Sequence, residues 1–214
     1  MAAGAGGMNS TALWYATRAT GLTALVLLTL TMVLGVTTST RAKARNWPGF
    51  AQQEMHRRIS ILSVVFLGIH VLTSVMDTFV NISWAAVVIP FTSAYQGLWV
   101  GVGAIALDLM IAVFVTSLLR ERIRPATWRA VHWLAYLSWP VAMAHSFGMG
   151  TDAGEGWVIV LGVVCGLAVA VALGWRLRAA NRQASERTAH ASVPGVPPKH
   201  LQLSGRTKVW SRHG

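Results

Sequence analysis

Long uncharged runs punctuated by basic clusters organise this chain. Ala19 to Thr40 carries no charge, and neither does Ile59 to Met76. Trp99 to Leu119 is apolar except for Asp108. Ala130 to Thr151 has no formal charge but contains His132 and His145, and Gly156 to Trp175 is the last such run. Each is close to the roughly 17–25 residues that a helix needs to cross a bilayer. The pattern predicts an all-α membrane protein, a bundle of five transmembrane helices at about 14–40, 56–77, 98–119, 128–150 and 156–176. Residues 1–13 read as a short outer N-terminus, 14–176 as the membrane domain and 177–214 as a basic, disordered tail. The first span reads as a retained helix, because residues 1–13 lack Lys and Arg and the run is too long for a signal-peptide core.

Composition agrees. Hydrophobic residues make up 54% and charged residues 12% of the 214, where about 25% charged is usual for soluble domains. The net charge of +11 changes the picture only through its placement. Seventeen of the 18 cations fall in residues 41–58, residues 119–129 and the tail from Arg176. The opposite side has Asp77, Asp152, Glu155 and, near the start of helix 1, Arg18. The positive-inside rule then puts the N-terminus outside and the C-terminus in the cytoplasm. The basic excess is a topology and anionic-lipid signal. No nucleic-acid partner is expected, since no aromatic-interleaved basic domain is present. Trp14, Trp99, Trp128, Trp157 and Trp175 fall at expected span ends, as interfacial aromatics do. Segment 77–97 is nearly uncharged, and Trp84 suggests that part of it lies on the membrane surface.

Four histidines carry the candidate chemistry. His56 and His70 are 14 residues apart in one expected helix, and His132 and His145 are 13 apart in another. At 1.5 Å per residue each pair is split by roughly 20 Å. One intervening span makes the two helices parallel, so His56 shares a level with His132 at the inner face, and His70 with His145 at the outer. Two imidazoles per level is the ligation of a six-coordinate b-type haem. Zinc is the rival metal, but each level lacks the further ligands it needs. Fourteen residues return within about 40° of the starting face, whereas thirteen leave about 140° of mismatch. Pro140, between His132 and His145, is the candidate source of the correction. Trp133 and Trp139 are candidates for porphyrin contact or for core packing. Asp108 is a mid-span carboxylate with Arg18 or a haem propionate as candidate partner, in a structural contact or a proton relay. Gly162 and Gly166 form a small-x-x-x-small pair around the lone Cys165. His190, His200 and His213 read as solvated bystanders.

The H-x13-H of His56 and His70, followed by the H-x12-H of His132 and His145, resembles the ferric-reductase-like transmembrane domain family. The segments "RATGLTALVLLTLTMVLG", "LWVGVGAIALDL" and "TSLLRERIRPATWRAVHWLAYLSWPVAMAHSFGMGTD" look like its actinobacterial-type members. Those are related to the haem subunit of the periplasmic methionine sulfoxide reductase system and to the membrane domain of NADPH oxidases. The resemblance implies two haem b groups on His56, His70, His132 and His145; Arg18 is expected to snorkel to the outer interface, placed to meet propionates. Members usually have six helices with ligands on the third and fifth; here they fall on the second and fourth. No flavin or NAD(P)H motif is found, so any flavin would come from a partner. The expected function is electron transfer from a cytoplasmic-side donor, a separate reductase or quinol, to an acceptor outside. The alternatives are terminal reduction of ferric chelates or oxygen at the outer haem, and a non-redox membrane partner protein.

Overall fold

A computed structural model describes residues 3–39, 49–78, 80–150 and 154–191. Among them every regular element is a helix: α1 (Ala3–Ser39), α2 (Gly49–Met76), α3 (Trp84–Val88), α4 (Gly97–Leu118), α5 (Pro125–His132), α6 (Ala135–Met149) and α7 (Gly156–Ala191). Backbone groups in hydrocarbon must bond within their own segment, so an apolar run of this length has little alternative to a helix. The hydroxyls inside these runs are also satisfied locally. Thr20, Thr23 and Thr29 donate to the carbonyls of Ala16, Ala19 and Leu25, one turn back.

Among the described residues four helices are long and apolar enough to cross a membrane: Thr11–Thr38, Gly49–Met76, Gly97–Leu118 and Gly156–Ser185. They match four of the five expected spans. The stretch expected as the remaining one, 128–150, is two helices. α5 and α6 meet at Trp133–Leu134, and neither reaches spanning length alone. The cause is local rewinding. Leu134, Tyr136 and Leu137 donate their N–H groups to the carbonyls three residues back, at Val131, Trp133 and Leu134. Such 3₁₀-type bonds tighten the turn from 3.6 to about 3.0 residues. Pro140 lies inside α6, downstream of this irregularity.

The described residues fall into two compact units, one up to Gly174 and one from Trp175. In the first, α1 packs along α2, α4 packs along α6, and α6 also touches α1. Glycines set the close approaches. A Cβ on Gly148 would run into the Trp99 ring, and one on Gly162 into Phe147. Gly166 faces open space, so the two glycines of the α7 pair do different things. Cys165 is buried and unoxidised. Across the bundle, Trp139 Nε1 donates to Thr29 Oγ1 at 2.9 Å, tying α6 to α1.

Two boundaries differ from expectation. α1 begins at Ala3, and α7 continues to Ala191, so the start of the segment read as a tail is helical. Arg41, Lys43, Arg45, Asp152 and 192–214 lie outside the described residues.

The Trp139–Thr29 bond should be measurable. Trp139→Phe or Thr29→Val should each cost about 1 kcal/mol in detergent-mixture unfolding. The double variant should cost less than the two together, because each single change strands the other partner.

Candidate haem-binding site

The structure brings the four histidines together as two pairs. The His56 and His132 ring centres are 6.4 Å apart with planes at 68°; those of His70 and His145 are 6.4 Å apart at 78°. His56 pairs with His132 and His70 with His145, so α2 and the α5–α6 stretch run in the same direction. The azimuthal mismatch expected for thirteen residues is reduced upstream of Pro140. The tighter winding at Leu134–Leu137 turns the chain further per residue, in the direction that brings His145 toward the face of His132.

Three of the rings are held by backbone. His56 Nδ1–H donates to the Thr31 carbonyl at 3.1 Å, His70 Nδ1–H to Thr17 at 2.8 Å and His145 Nδ1–H to Trp99 at 2.8 Å. A carbonyl oxygen can only accept, so Nδ1 carries the proton and the Nε2 lone pair is free for a metal. His132 differs. Its Nδ1 is buried without a hydrogen-bond partner among the described residues. Its ring stacks on Trp128, 4.9 Å away and at 24°, and Arg120 sits over the other ring system at 5.2 Å from the Trp128 centroid.

The His70–His145 pair opens into a cavity of about 220 Å³. Its walls near the rings are Gly21, Gly103, Ala24 and Ala104, small enough to admit a flat ligand between α1, α2, α4 and α6. Arg18 and Asp77 line the same cavity. The segment after α2 covers one end, with Ala86 of α3 only 1% exposed. Ser83 caps α3 by accepting from the Ala86 N–H. Asn81, Phe91 and Gln96 adopt positive φ in this covering segment, and Trp84, Val88 and Phe91 are exposed on it.

Other candidates separate from the site. Asp108 is half-buried and outside the cavity that holds Arg18. Trp133 is 55% exposed and packs on Tyr136, while Trp139 is the Thr29 donor. The side chains of His190, His200 and His213 lie outside the described residues. Asp77, expected on the outer side, is 3% exposed. The missed signal is a heptad stripe on α2: His56, Ser63, His70 and Asp77 recur every seven residues, which is two helical turns on one face. Ser63, at 2% exposed, follows the same rule.

The donor set discriminates among metals. Among the described residues no cluster of three or more His, Cys, Asp or Glu exists. Two imidazoles cannot complete a tetrahedral zinc site, but two are what a b-type haem, whose macrocycle brings four ligands of its own, would need from the protein. The spacing fits. Metal–nitrogen bonds of about 2.0 Å, with about 1.1 Å from each nitrogen to its ring centre, would put the two ring centres about 6.2 Å apart.

Residues 20–143 match the family model described as the ferric reductase like transmembrane component. The chain belongs to that family. Domains of the ferric reductase-like family generally bind haem, and the chain is a membrane redox module for electron transfer. The matched stretch contains His56, His70 and His132 and stops just before His145. No curated protein and no solved structure gives a significant match.

The pairing makes a prediction about the histidines themselves. Removing either member of a pair should empty one site, and removing both members should empty no more. His56→Ala, His132→Ala and the double variant should therefore lose the same amount of bound prosthetic group per chain. His56→Ala combined with His70→Ala should lose twice as much.

Proposed function

We propose that this protein is a cytochrome b of the cell membrane that carries two haems, on His56 with His132 and on His70 with His145. It moves electrons from a cytoplasmic-side donor, a separate reductase or a quinol, to an acceptor outside. One observation carries the reading: two histidine pairs with the same 6.4 Å ring spacing, stacked along the same two helical stretches. A chance pair of polar residues would not repeat the spacing at the second level.

The haems would supply reversible one-electron transfer when bound, and His56, His70, His132 and His145 are the residues that would hold them. The chain's own residues set the rest. His56, His70 and His145 present Nε2 in a fixed tautomer through their backbone bonds. Arg18 lines the outer cavity, placed to meet propionates. Ala86 and the covering segment shield the outer site from bulk water. Four spanning helices and the α5–α6 stretch make five crossings, with the N-terminus outside. The basic residues flanking α2, α4 and α7 favour the cytoplasmic assignment of that side.

The purified protein should contain close to two b haems per chain by pyridine haemochrome. Imidazole planes held at 68° and 78° would favour strongly anisotropic low-spin EPR signals from both ferric haems. A haem-free preparation refutes the reading, and a ratio of one leaves a single pair.

Direction and topology are tested together in oriented vesicles with donor on one side and acceptor on the other. His132→Ala should block reduction from the cytoplasmic side, whereas His145→Ala should leave an inner haem that reduces normally but passes nothing outward. In intact cells a maleimide should label Ser83→Cys and spare Ser192→Cys; the reverse pattern inverts the proposed direction. Ser192 lies outside the described residues.

A further inference from the structure

Each backbone-anchored histidine meets the same local pattern on the opposing helix. His70 bonds the carbonyl of Thr17, and Gly21 is four residues later. His56 bonds Thr31, and Gly35 is four residues later. His145 bonds Trp99, and Gly103 is four residues later. In all three cases the imidazole lies over the glycine. A Cβ on Gly103 would fall 2.5 Å from His145 Nδ1, one on Gly21 2.8 Å from His70 Nδ1, and one on Gly35 3.2 Å from His56 Cε1.

Helix geometry explains the offset. The carbonyl of residue i points toward the C-terminus, to the N–H of residue i+4. The Cα–Cβ bond of residue i+4 tilts back toward the N-terminus and overhangs that carbonyl. The oxygen has a second lone pair, but an ordinary side chain at i+4 blocks access to it. Glycine clears the way without breaking the helical bond.

We infer that Gly21, Gly35 and Gly103 are positioning residues, each opening the carbonyl four residues earlier to the Nδ1–H of a haem-ligand histidine. The inference rests on the two-haem reading above. Together the bond and the open wall fix both the tautomer and the ring direction. Such outer partners raise ligand basicity, and their loss typically costs about 10–100-fold in metal affinity. The same pattern is missing at the fourth ligand. His132 leans on Trp128 and its Nδ1 has no partner among the described residues. The His70–His145 site therefore has two anchored ligands and the His56–His132 site has one.

The clearances rank the expected effects. At Gly35 an added methyl asks the ring to give by a few tenths of an ångström; at Gly21 and Gly103 the ring must leave its carbonyl. The test uses the full chain in nanodiscs, as wild type, Gly35→Ala, Gly21→Ala, Gly103→Ala and the control Gly166→Ala, whose Cβ would meet nothing within 4 Å. The readouts are haem per chain, redox titration and EPR. Gly35→Ala should keep two haems but raise one midpoint potential, since a less basic imidazole stabilises ferric iron less. A tenfold change in the ferric-to-ferrous stability ratio is about 59 mV for one electron. Gly21→Ala and Gly103→Ala should fall toward one haem per chain, with the surviving EPR signal unchanged. Gly166→Ala should match wild type. Unchanged potentials, spectra and haem content in all three site variants overturn the inference. If Gly21→Ala and Gly103→Ala fail to accumulate, Gly35→Ala decides alone: a single shifted potential supports the inference, and two unshifted ones overturn it. A Gly166→Ala variant as impaired as the others also overturns it. A haem-free wild type refutes the underlying two-haem reading, a separate outcome.

Discussion

The bond between an imidazole on one helix and a main-chain oxygen on its neighbour is the constraint to which the rest of this fold is fitted. On α2 the rings recur after fourteen residues, at His56 and His70; on α1 the accepting carbonyls also recur after fourteen, at Thr31 and Thr17. The order is reversed along α1, so the helices run antiparallel and both contacts fall in register at once. Fourteen residues are close to four full turns. Two helices with the same repeat can then meet at two levels with little distortion, and the long α1–α2 contact follows from that match.

The second half of the bundle solves the same problem with less regular means. Its rings are thirteen residues apart, which an unbroken helix would place on different faces. The three short-range bonds around Leu134–Leu137 overwind the chain between them. The gain is a second pair at the same spacing as the first. The loss is a continuous helix, so α5 and α6 separate at Trp133–Leu134. The Trp139–Thr29 bond then links this irregular stretch to the regular α1, two residues from the Thr31 carbonyl that anchors His56.

Much of this was legible in the chain because hydrocarbon imposes simple rules. Charge-free runs marked α1, α2, α4 and α7, and the two histidine spacings marked the pairs by depth. The less legible features depend on side-chain direction and on local winding. Asp77 follows the last apolar turn of α2 and so reads as a loop charge; only the heptad stripe from His56 through Ser63 and His70 reveals that it points inward. The 128–150 segment was expected as one span, with local rewinding at Pro140, the one residue there with a covalent reason to disturb a helix. It arises instead one to two turns earlier, from hydrogen bonds whose pattern no residue type announces. The helical starts and ends at Ala3 and Ala191 lie in polar or small-residue sequence, where periodicity carries no signal.

The overwound turn has a consequence for how such a chain can change over generations. A deletion of one residue between His132 and His145 would rotate everything beyond it by about 100° and carry His145 off the shared face. An insertion would do the same in the other sense. The covering stretch 80–96 carries none of the four histidines and lies outside both histidine intervals, so a change in its length leaves both levels aligned. Length variation among descendants of this chain should therefore accumulate in that cover and be nearly absent from the thirteen-residue interval, whatever substitutions each of them tolerates.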